Sequence, residues 1–333
     1  MKYLFGRIFK FNFKKLNKII NNCSKKSGKS KVFIFFDMII CALLYRCGYA
    51  DYEFLEMYSL SRKERKNVVS AGTNNIFVKK LNPKENWKLV DDKVLFNERF
   101  KKYLGRDFMK IDGNNLEQFK SFVKGKDYIM VKPIAATWGK GVEKVKVSGD
   151  LKKLYDKLLN NNQLLVEDIA VQHKDISKLH PDSINTIRIV TIRNKYGVVS
   201  IVCSIIRMGT GHNVVDNFHN GGIYCPIDIK TGKICGTAIN KDGKRFSVHP
   251  TSKVKLIGYQ IPNWDKIIQT TIDAHNMIPE LGYIGWDVYA TKDGAGFIEG
   301  NEYPGHVLYK ELKQEDGTGI LPILKKALEK KEQ

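Results

Sequence analysis

The chain has 333 residues, 43% of them apolar and 27% charged, ordinary proportions for a globular protein large enough for two compact units or one multi-lobed one. Its formal charge of +21 points to an anionic partner: nucleic acid, an anionic membrane surface or phosphate-rich small molecules. The six cysteines (Cys23, Cys41, Cys47, Cys203, Cys225, Cys235) form no CxxC pair, which argues against a zinc knuckle or a disulfide framework and for reduced thiols in a cytoplasmic protein.

The first element is basic and aromatic. Ten Lys or Arg fall within positions 1 to 36, with no acid before Asp37 and with Tyr3, Phe5, Phe9, Phe11, Phe13 and Ile19 among the apolar residues between them. Residues 1–31 are expected to lie on an anionic membrane surface at its inner face, rings in the acyl boundary and ammonium groups among headgroups, or else to dock on the protein's own body. Nucleic acid is not expected as a partner, because no ribonucleoprotein-type aromatic motif, zinc finger or helix-turn-helix signal is found. The longest apolar run, Val32 to Tyr45, is broken by Asp37 and falls short of the ~20 residues a spanning helix needs. Lysines interrupt the early apolar residues too often for a secretory signal.

Residues 32–70 read as helix, with Phe36, Ile39, Ile40, Leu43 and Leu44 at three-to-four spacing and an interruption at Gly48. From Asp91 the texture becomes short β-rich runs alternating with helices, an α+β or α/β body. A helix is predicted from Asp91 to about Tyr103, a strand from Phe108 to Ile111 and a helix from Leu116 to Lys124. The strand Tyr128–Pro133 leads through the loop Thr137-Trp138-Gly139-Lys140-Gly141 into a strand Val142–Val147. Further on, Leu151–Leu159 is predicted helical, Gln163–Glu167 a strand, and Asn185–Arg193 with Val198–Met208 a hairpin. Strands Gly221–Asp228 and Lys233–Ala238 flank a Lys230-Thr231-Gly232 turn, and helices are expected at Trp264–Asn276 and Ile320–Lys331.

The strongest chemical signal is Gly285-Trp286-Asp287-Val288-Tyr289-Ala290, a Lys292-Asp293-Gly294 turn, then Phe297-Ile298-Glu299-Gly300-Asn301. As a tight hairpin it sets Asp287 across from Glu299, with Asn301 on the face of Glu299. Opposed carboxylates repel unless a cation lies between them or one is protonated, and hard oxygen donors point to Mg²⁺, which completes its shell with water and phosphate oxygens. A second signal is Lys132-Pro133 before the glycine loop, where a lysine can neutralise phosphate beneath loop N–H groups; alone, it reads equally as an ordinary hairpin. It is not a Walker A loop. Leu164 to Ile169 is an apolar edge ending in acids, able to offer backbone groups to adenine with Glu167 at its amino group or the ribose, and otherwise an ordinary buried strand.

Taken in order, these segments, with Asp92-Lys93, Asn185-Thr186-Ile187-Arg188, Asp216-Asn217, Gly221-Gly222-Ile223 and Pro304-Gly305, resemble the ATP-grasp superfamily over roughly residues 88–330, most closely the sugar-transfer-associated group found with polysaccharide biosynthesis. The resemblance implies an α+β fold of two lobes clasping a nucleotide. A basic helical region would occupy 1–80, a small lobe with the phosphate-covering loop 81–165, and a large lobe with metal and acceptor sites 166–333. It places Lys93 and Lys132 on phosphates, Thr137, Gly139 and Gly141 in a lid, and Glu167, Asp168 and Ile169 at adenine. Asp287, Glu299 and Asn301 would hold two Mg²⁺ ions, while Arg207 and Arg188 would face the γ-phosphate and the acyl phosphate formed from it. The implied activity is ATP-dependent joining of a carboxylate to an amine, on a sugar acid, an amino acid or a lipid-linked sugar. An ATP-grasp kinase acting on a hydroxyl, or a non-catalytic basic binding protein, are the rivals. His173, His180, His212, His219 and His306 are candidates for acceptor handling or structural histidines.

Overall fold

The computed structural model describes residues 12–134, 141–212, 216, 221–312 and 319–329. Contacts divide the chain into two compact units, Met1–Lys80 with Gly305–Lys326, and Leu81–Pro304 with Ala327–Gln333. Among the described residues no helix is long and apolar enough to cross a membrane.

The first unit is helical: α1 (Phe13–Ser27), α2 (Lys31–Tyr45), α3 (Tyr49–Phe54), α4 (Arg62–Arg65) and most of α5 (Ala71–Leu81). Local chemistry sets these boundaries. Asn12 caps α1 by accepting from the Lys15 amide, Gly28 ends it at φ 71°, and Ser30 caps α2 by accepting from Phe33 N–H. The helical stretch read over 32–70 breaks just ahead of the interruption expected at Gly48: α2 stops at Tyr45, Arg46 turns left-handed at φ 53°, and Gly48 starts the next segment extended. Leu16, Ile19, Ile20 and Cys23 of α1 pack with Ile34, Met38 and Cys41 of α2. Thus most of the apolar side of α1 packs on the protein's own core, with Phe13 left exposed. The continuous apolar surface left open belongs to α2, where Val32, Phe36, Ile39, Ile40, Leu43 and Leu44 are all exposed. Of the segment 1–31, expected either at an anionic membrane surface or docked on the protein's own body, residues 1–11 lie outside the described part. Asp37, which breaks the apolar run, turns inward to accept from both Nη atoms of Arg65 (2.6 and 2.7 Å) and from Tyr52 Oη (2.7 Å).

The second unit holds two antiparallel sheets. Before them, the helix expected over 91–103 is α7 (Lys93–Arg99), set apart from a preceding turn of helix, α6 (Lys88–Asp91), by Asp92, whose carboxylate caps α7 at the amides of Val94 (2.9 Å) and Leu95 (3.1 Å). The small sheet has the order β1-β4-β2-β3, from β1 (Phe108–Lys110), β2 (Tyr128–Lys132), β3 (Glu143–Lys146) and β4 (Leu165–Glu167). Helices α8 (Leu116–Val123) and α9 (Leu151–Asn160) bring Phe119, Val123, Tyr155 and Leu158 onto Ile129, Val131 and Val166. A short α10 (Lys174–Ser177) precedes the large sheet.

That sheet runs β11-β10-β5-β6-β7-β8-β9, from β5 (Ile187–Arg193), β6 (Val199–Met208), β7 (Ile223–Ile227), β8 (Ala238–Ile239), β9 (Arg245–Phe246), β10 (Tyr283–Ala290) and β11 (Ala295–Asn301). The strand expected over Lys233–Ala238 is reduced to isolated bridges, Lys233 to Gln260 and Ile234 to Ile227, before β8 takes up Ala238; Pro226 has no N–H to extend the ladder with β7. Helix α11 (Trp264–Asn276) packs on the sheet, and α12 (Ile320–Glu329) closes the described chain. At the centre of this core, Trp286 meets Phe100 at 5.4 Å and Phe297 at 5.5 Å edge-on, its indole N–H donating to Thr191 Oγ1 at 2.8 Å.

Candidate active site

Strand alternation turns Trp286 into the core and Asp287 to the opposite face. There the ladder makes a row: Glu299 of β11 pairs with Asp287 of β10, and Asp287 with Arg188 of β5. The Asp287–Glu299 pairing is reached through a one-residue bulge, since Val288 pairs with Phe297 and leaves Ile298 over. Asn301 stands two residues along from Glu299, opposite Gly285, and Arg207 of β6 two along from the partner of Arg188, Ile205. Gly285 makes room for the row, because a Cβ there would meet Arg188 Nη1 at 3.1 Å.

Asp287 is the charge centre. Arg188 donates through Nε to Oδ1 and through Nη2 to Oδ2 (2.9 Å), and Arg207 Nη2 reaches Oδ2 at 2.6 Å. Burial opposes ionisation, yet the two guanidinium groups hold the Asp287 carboxyl well below the usual carboxylate range. Arg207 is fixed in turn by Nε donation to Thr186 Oγ1 (2.9 Å), and Thr186 donates both its hydroxyl and its N–H to Asp216 Oδ2. Burial outweighs Arg207 at Asp216 and raises its pKa.

Glu299 differs from its neighbour. Burial and then the adjacent Asp287 push its pKa up, while Arg188, Lys93 and Arg207 act on it only at a distance, and among the described residues no cation forms an ion pair with it. Asn301 donates its amide nitrogen to the Gly285 carbonyl (3.2 Å), which leaves the amide oxygen to offer. A carboxylate short of a counter-charge beside an amide oxygen and a second carboxylate is a donor set that fits Mg²⁺, which needs few protein ligands. Among the described residues no group of three or more His, Cys, Asp or Glu is placed to hold a metal. Both oxygens of Asp287 already accept from arginines, so the two-ion expectation has Glu299 and Asn301 as its open donors.

The residues expected at adenine and phosphate are placed differently. Glu167, predicted at the adenine edge, is turned inward: Arg106 donates to it twice (3.0 and 3.0 Å), Asn97 Nδ2 once (2.7 Å), and Lys132 Nζ sits 2.5 Å away. Burial alone would raise its pKa, but Lys132 and Arg106 hold it well below the carboxylate range. Burial lowers the pKa of Lys132, and its partner Glu167 offsets part of that. In this state Lys132 spends its charge on Glu167. Asp168 pairs with Lys126 at 2.5 Å and, with Ile169, lines an open cavity of about 480 Å³ beside Tyr128 and Lys144. Lys93 opens α7 and acts on Glu299 through its field. Gly141 sits at φ 71°, where a Cβ would strike Pro133 Cγ at 2.8 Å, so the end of the glycine loop is pressed on the residue after Lys132. Thr137 and Gly139 of that loop, and Asn217 and His219, lie outside the described residues.

Among the described residues, three of the candidate histidines hold the protein's own groups. His180 bonds Ser183 Oγ (2.9 Å) and Gly211 O (3.0 Å), His173 caps α10, and His306 pairs with Asp51 (3.1 Å) in the first unit. His212, exposed, stands 3.5 Å from Asp182. Sequence reasoning missed Arg106 and Asn97, which donate to Glu167, and gave no role to Thr186, quoted only within Asn185-Thr186-Ile187-Arg188, which accepts from Arg207. Of the two missed, only Arg106 carried a local signal, following Gly105 at φ 68°.

A family model described as sugar-transfer associated ATP-grasp matches residues 72–326. The chain belongs to that family. Its fold is accordingly ATP-grasp, mixed α and β, with a helical region before it. Similar solved structures include the D-alanine-D-alanine ligase of Helicobacter pylori, at 14% identity and TM-score 0.44 over 75% of this chain and 62% of that one. The D-alanyl-alanine synthetase A of Vibrio cholerae O1 biovar eltor matches at 11% and 0.46, over 72% and 65%. The N5-carboxyaminoimidazole ribonucleotide synthetase of Thermus thermophilus matches at 12% and 0.41, over 69% and 51%. The chain thus spans under two thirds of the length of each of these three structures. No curated protein matches it significantly.

Proposed function

We propose that this ATP-grasp protein is a Mg-ATP-dependent carboxylate–amine ligase that modifies a sugar or sugar-linked acid in cell-surface polysaccharide biosynthesis. The observation that carries the reading is the row Glu299–Asp287–Arg188 with Arg207 and Asn301: fixed guanidinium groups next to a carboxyl that pairs with no cation among the described residues, and an amide oxygen. In the first step an oxygen of the substrate carboxylate attacks the γ-phosphorus of ATP and ADP leaves. In the second, the amine attacks the acyl carbon, phosphate leaves with the bonding pair, and the amine proton passes to solvent or phosphate.

This chain's residues act by position and charge. Arg188 and Arg207, held by Asp287 and Thr186, present N–H donors to the oxygens on which charge develops during transfer. Lys93 and Lys132 supply positive charge toward the phosphates, Lys132 once ATP competes with Glu167 for its ammonium group. Mg²⁺ bound at Glu299 and Asn301 would neutralise phosphate oxygens and favour the ionised form of Glu299. Among the named residues none acts as a covalent nucleophile, because alignment and electrostatics supply most of the catalysis in phosphoryl transfer.

The test is ADP release from Mg-ATP against uronic acids and amino acids, singly and paired, with mass analysis of the products. Joint dependence on a carboxylate and an amine, with their amide as product, supports the reading. A single hydroxyl compound that gains a phosphate overturns it in favour of a kinase. Glu299→Ala is expected to abolish ADP formation, and full turnover in that variant would refute the metal assignment.

A further inference from the structure

Helix α2 is apolar on every side. Its inner arc, with Ile34, Met38 and Cys41, is buried in the first unit, and Asp37 on that arc is neutralised by Arg65. Its outer arc carries Val32, Phe36, Ile39, Ile40, Leu43 and Leu44, between 41% (Ile39) and 67% (Val32) exposed, along the whole length of the helix. At 100° per residue these six positions fall within an arc of about 140°, with Phe33 inside it and Phe35 just beyond one edge. A helix apolar all round is stable in water only if both halves are covered, and a continuous exposed stripe of this size marks an interaction surface.

Charge selects the occupant. Between residues 12 and 48 the only acid is Asp37, which is buried and paired, whereas Lys14, Lys15, Lys18, Lys25, Lys26 and Lys31 are all exposed. Arg46 is exposed at the far end of α2, and Lys29, beside its start, lies 4.9 Å over the ring of Phe33. A second copy would bring two such cationic hairpins together, which like-charge repulsion opposes. An apolar stripe flanked by cations and free of exposed carboxylates matches an anionic bilayer, where the stripe enters the acyl boundary and the ammonium groups stay among phosphates.

We infer that the outer face of α2 is a docking surface for anionic lipid, with the lysines of α1 and of the α1–α2 turn as its electrostatic collar. The inference is independent of the ligase reading, since it concerns a different unit and is measured without turnover.

The experiment is flotation of the full-length chain with phosphatidylcholine vesicles, alone or with about one-third phosphatidylserine. The wild-type protein is expected to float with the anionic vesicles at low salt and ~10-fold less with neutral ones. Phe36→Glu/Leu43→Glu is expected to lower anionic-vesicle binding ~100-fold with an unchanged circular dichroism spectrum, because both positions are exposed. Lys14→Gln/Lys15→Gln/Lys18→Gln is expected to lower it ~10-fold and leave neutral-vesicle binding unchanged. Full binding by the double glutamate variant, equal binding to both vesicles, or binding to neither overturns the proposal. So does a wild-type dimer that the double variant converts to monomer without vesicle binding, which would make the face an interface between copies.

Discussion

The buried knot around Glu167 gives the sharpest test of how the two sheets are held together. Glu167 accepts from Arg106 twice and from Asn97, with Lys132 2.5 Å away, and the side chains of Arg106, Glu167 and Lys132 are 2%, 2% and 10% exposed. Glu167→Gln keeps the shape and leaves an oxygen for Asn97, but strands two cations where water cannot reach them. Breaking a buried ion pair from one side costs about 3–5 kcal/mol. Lys132 limits the loss, because burial already lowers its pKa and it can shed its proton once Glu167 is neutral, so about 3 kcal/mol is expected. That is a large share of the ~5–15 kcal/mol that holds a typical domain. The assay is urea unfolding followed by the fluorescence of the buried Trp286, reading a shift in midpoint at unchanged slope. Glu167 has a folded pKa below its ordinary value of 4.5, so its stabilisation is complete above that pH and is lost as pH falls toward the folded pKa. The gap between wild type and variant should therefore be full at pH 7 and narrow once the pH drops below 4.5. A loss under about 1 kcal/mol, or a gap that stays constant in acid, would refute the picture of a water-excluded knot.

Three further outcomes follow from the geometry. Gly285→Ala sets a methyl 3.1 Å from Arg188 Nη1, and is expected to lower kcat/KM ~10–100-fold with little change in unfolding midpoint; an unchanged kcat/KM would show that Arg188 has room to spare. Gly296→Ala places its Cβ 2.2 Å from the Tyr289 ring, which is buried and tied to Leu104 O at 2.9 Å, so overpacking should cost ~1–3 kcal/mol in urea unfolding. Glu302 is pushed up to about 7 by burial and by Asp91. A raised carboxyl stabilises fully below its ordinary pKa and loses that contribution as pH rises, so wild type should weaken between pH 4.5 and 7 and Glu302→Gln should flatten the curve.

Part of the site was legible: counting outward from the Lys292-Asp293-Gly294 turn sets Asp287 across from Glu299, and the helix Trp264–Asn276 follows from its apolar spacing. The bulge at Ile298, without which Val288 paired with Phe297 would set Ile298 opposite Asp287, was not. What else was not legible was tertiary. Nothing near Glu167 tells that Arg106, 61 residues earlier, closes over it and turns it away from a ligand. Nothing in the apolar spacing of residues 32–70 shows that Arg46 adopts a left-handed turn, or which arc of α2 faces inward. Periodicity reports that a face is apolar; only packing decides whether the protein itself covers it.

The first unit is assembled from both ends of the sequence. Asn67 accepts through its carbonyl from Leu321 N–H (3.3 Å) and lies 2.6 Å from where a Cβ at Gly319 would be, while His306 meets Asp51 and Lys310 stands 3.5 Å from Glu56. During synthesis, helices α1 to α4 leave the ribosome about 240 residues before the segment that completes them, whereas 81–304, the bulk of the second unit, arrives as one uninterrupted stretch. At a translation rate of ~5–20 residues per second, the early helices wait on the order of ten seconds or more for their closing strap. The second unit is therefore in a position to fold first, while the helical unit, its α2 already made, still lacks the segment from residue 305 that completes it.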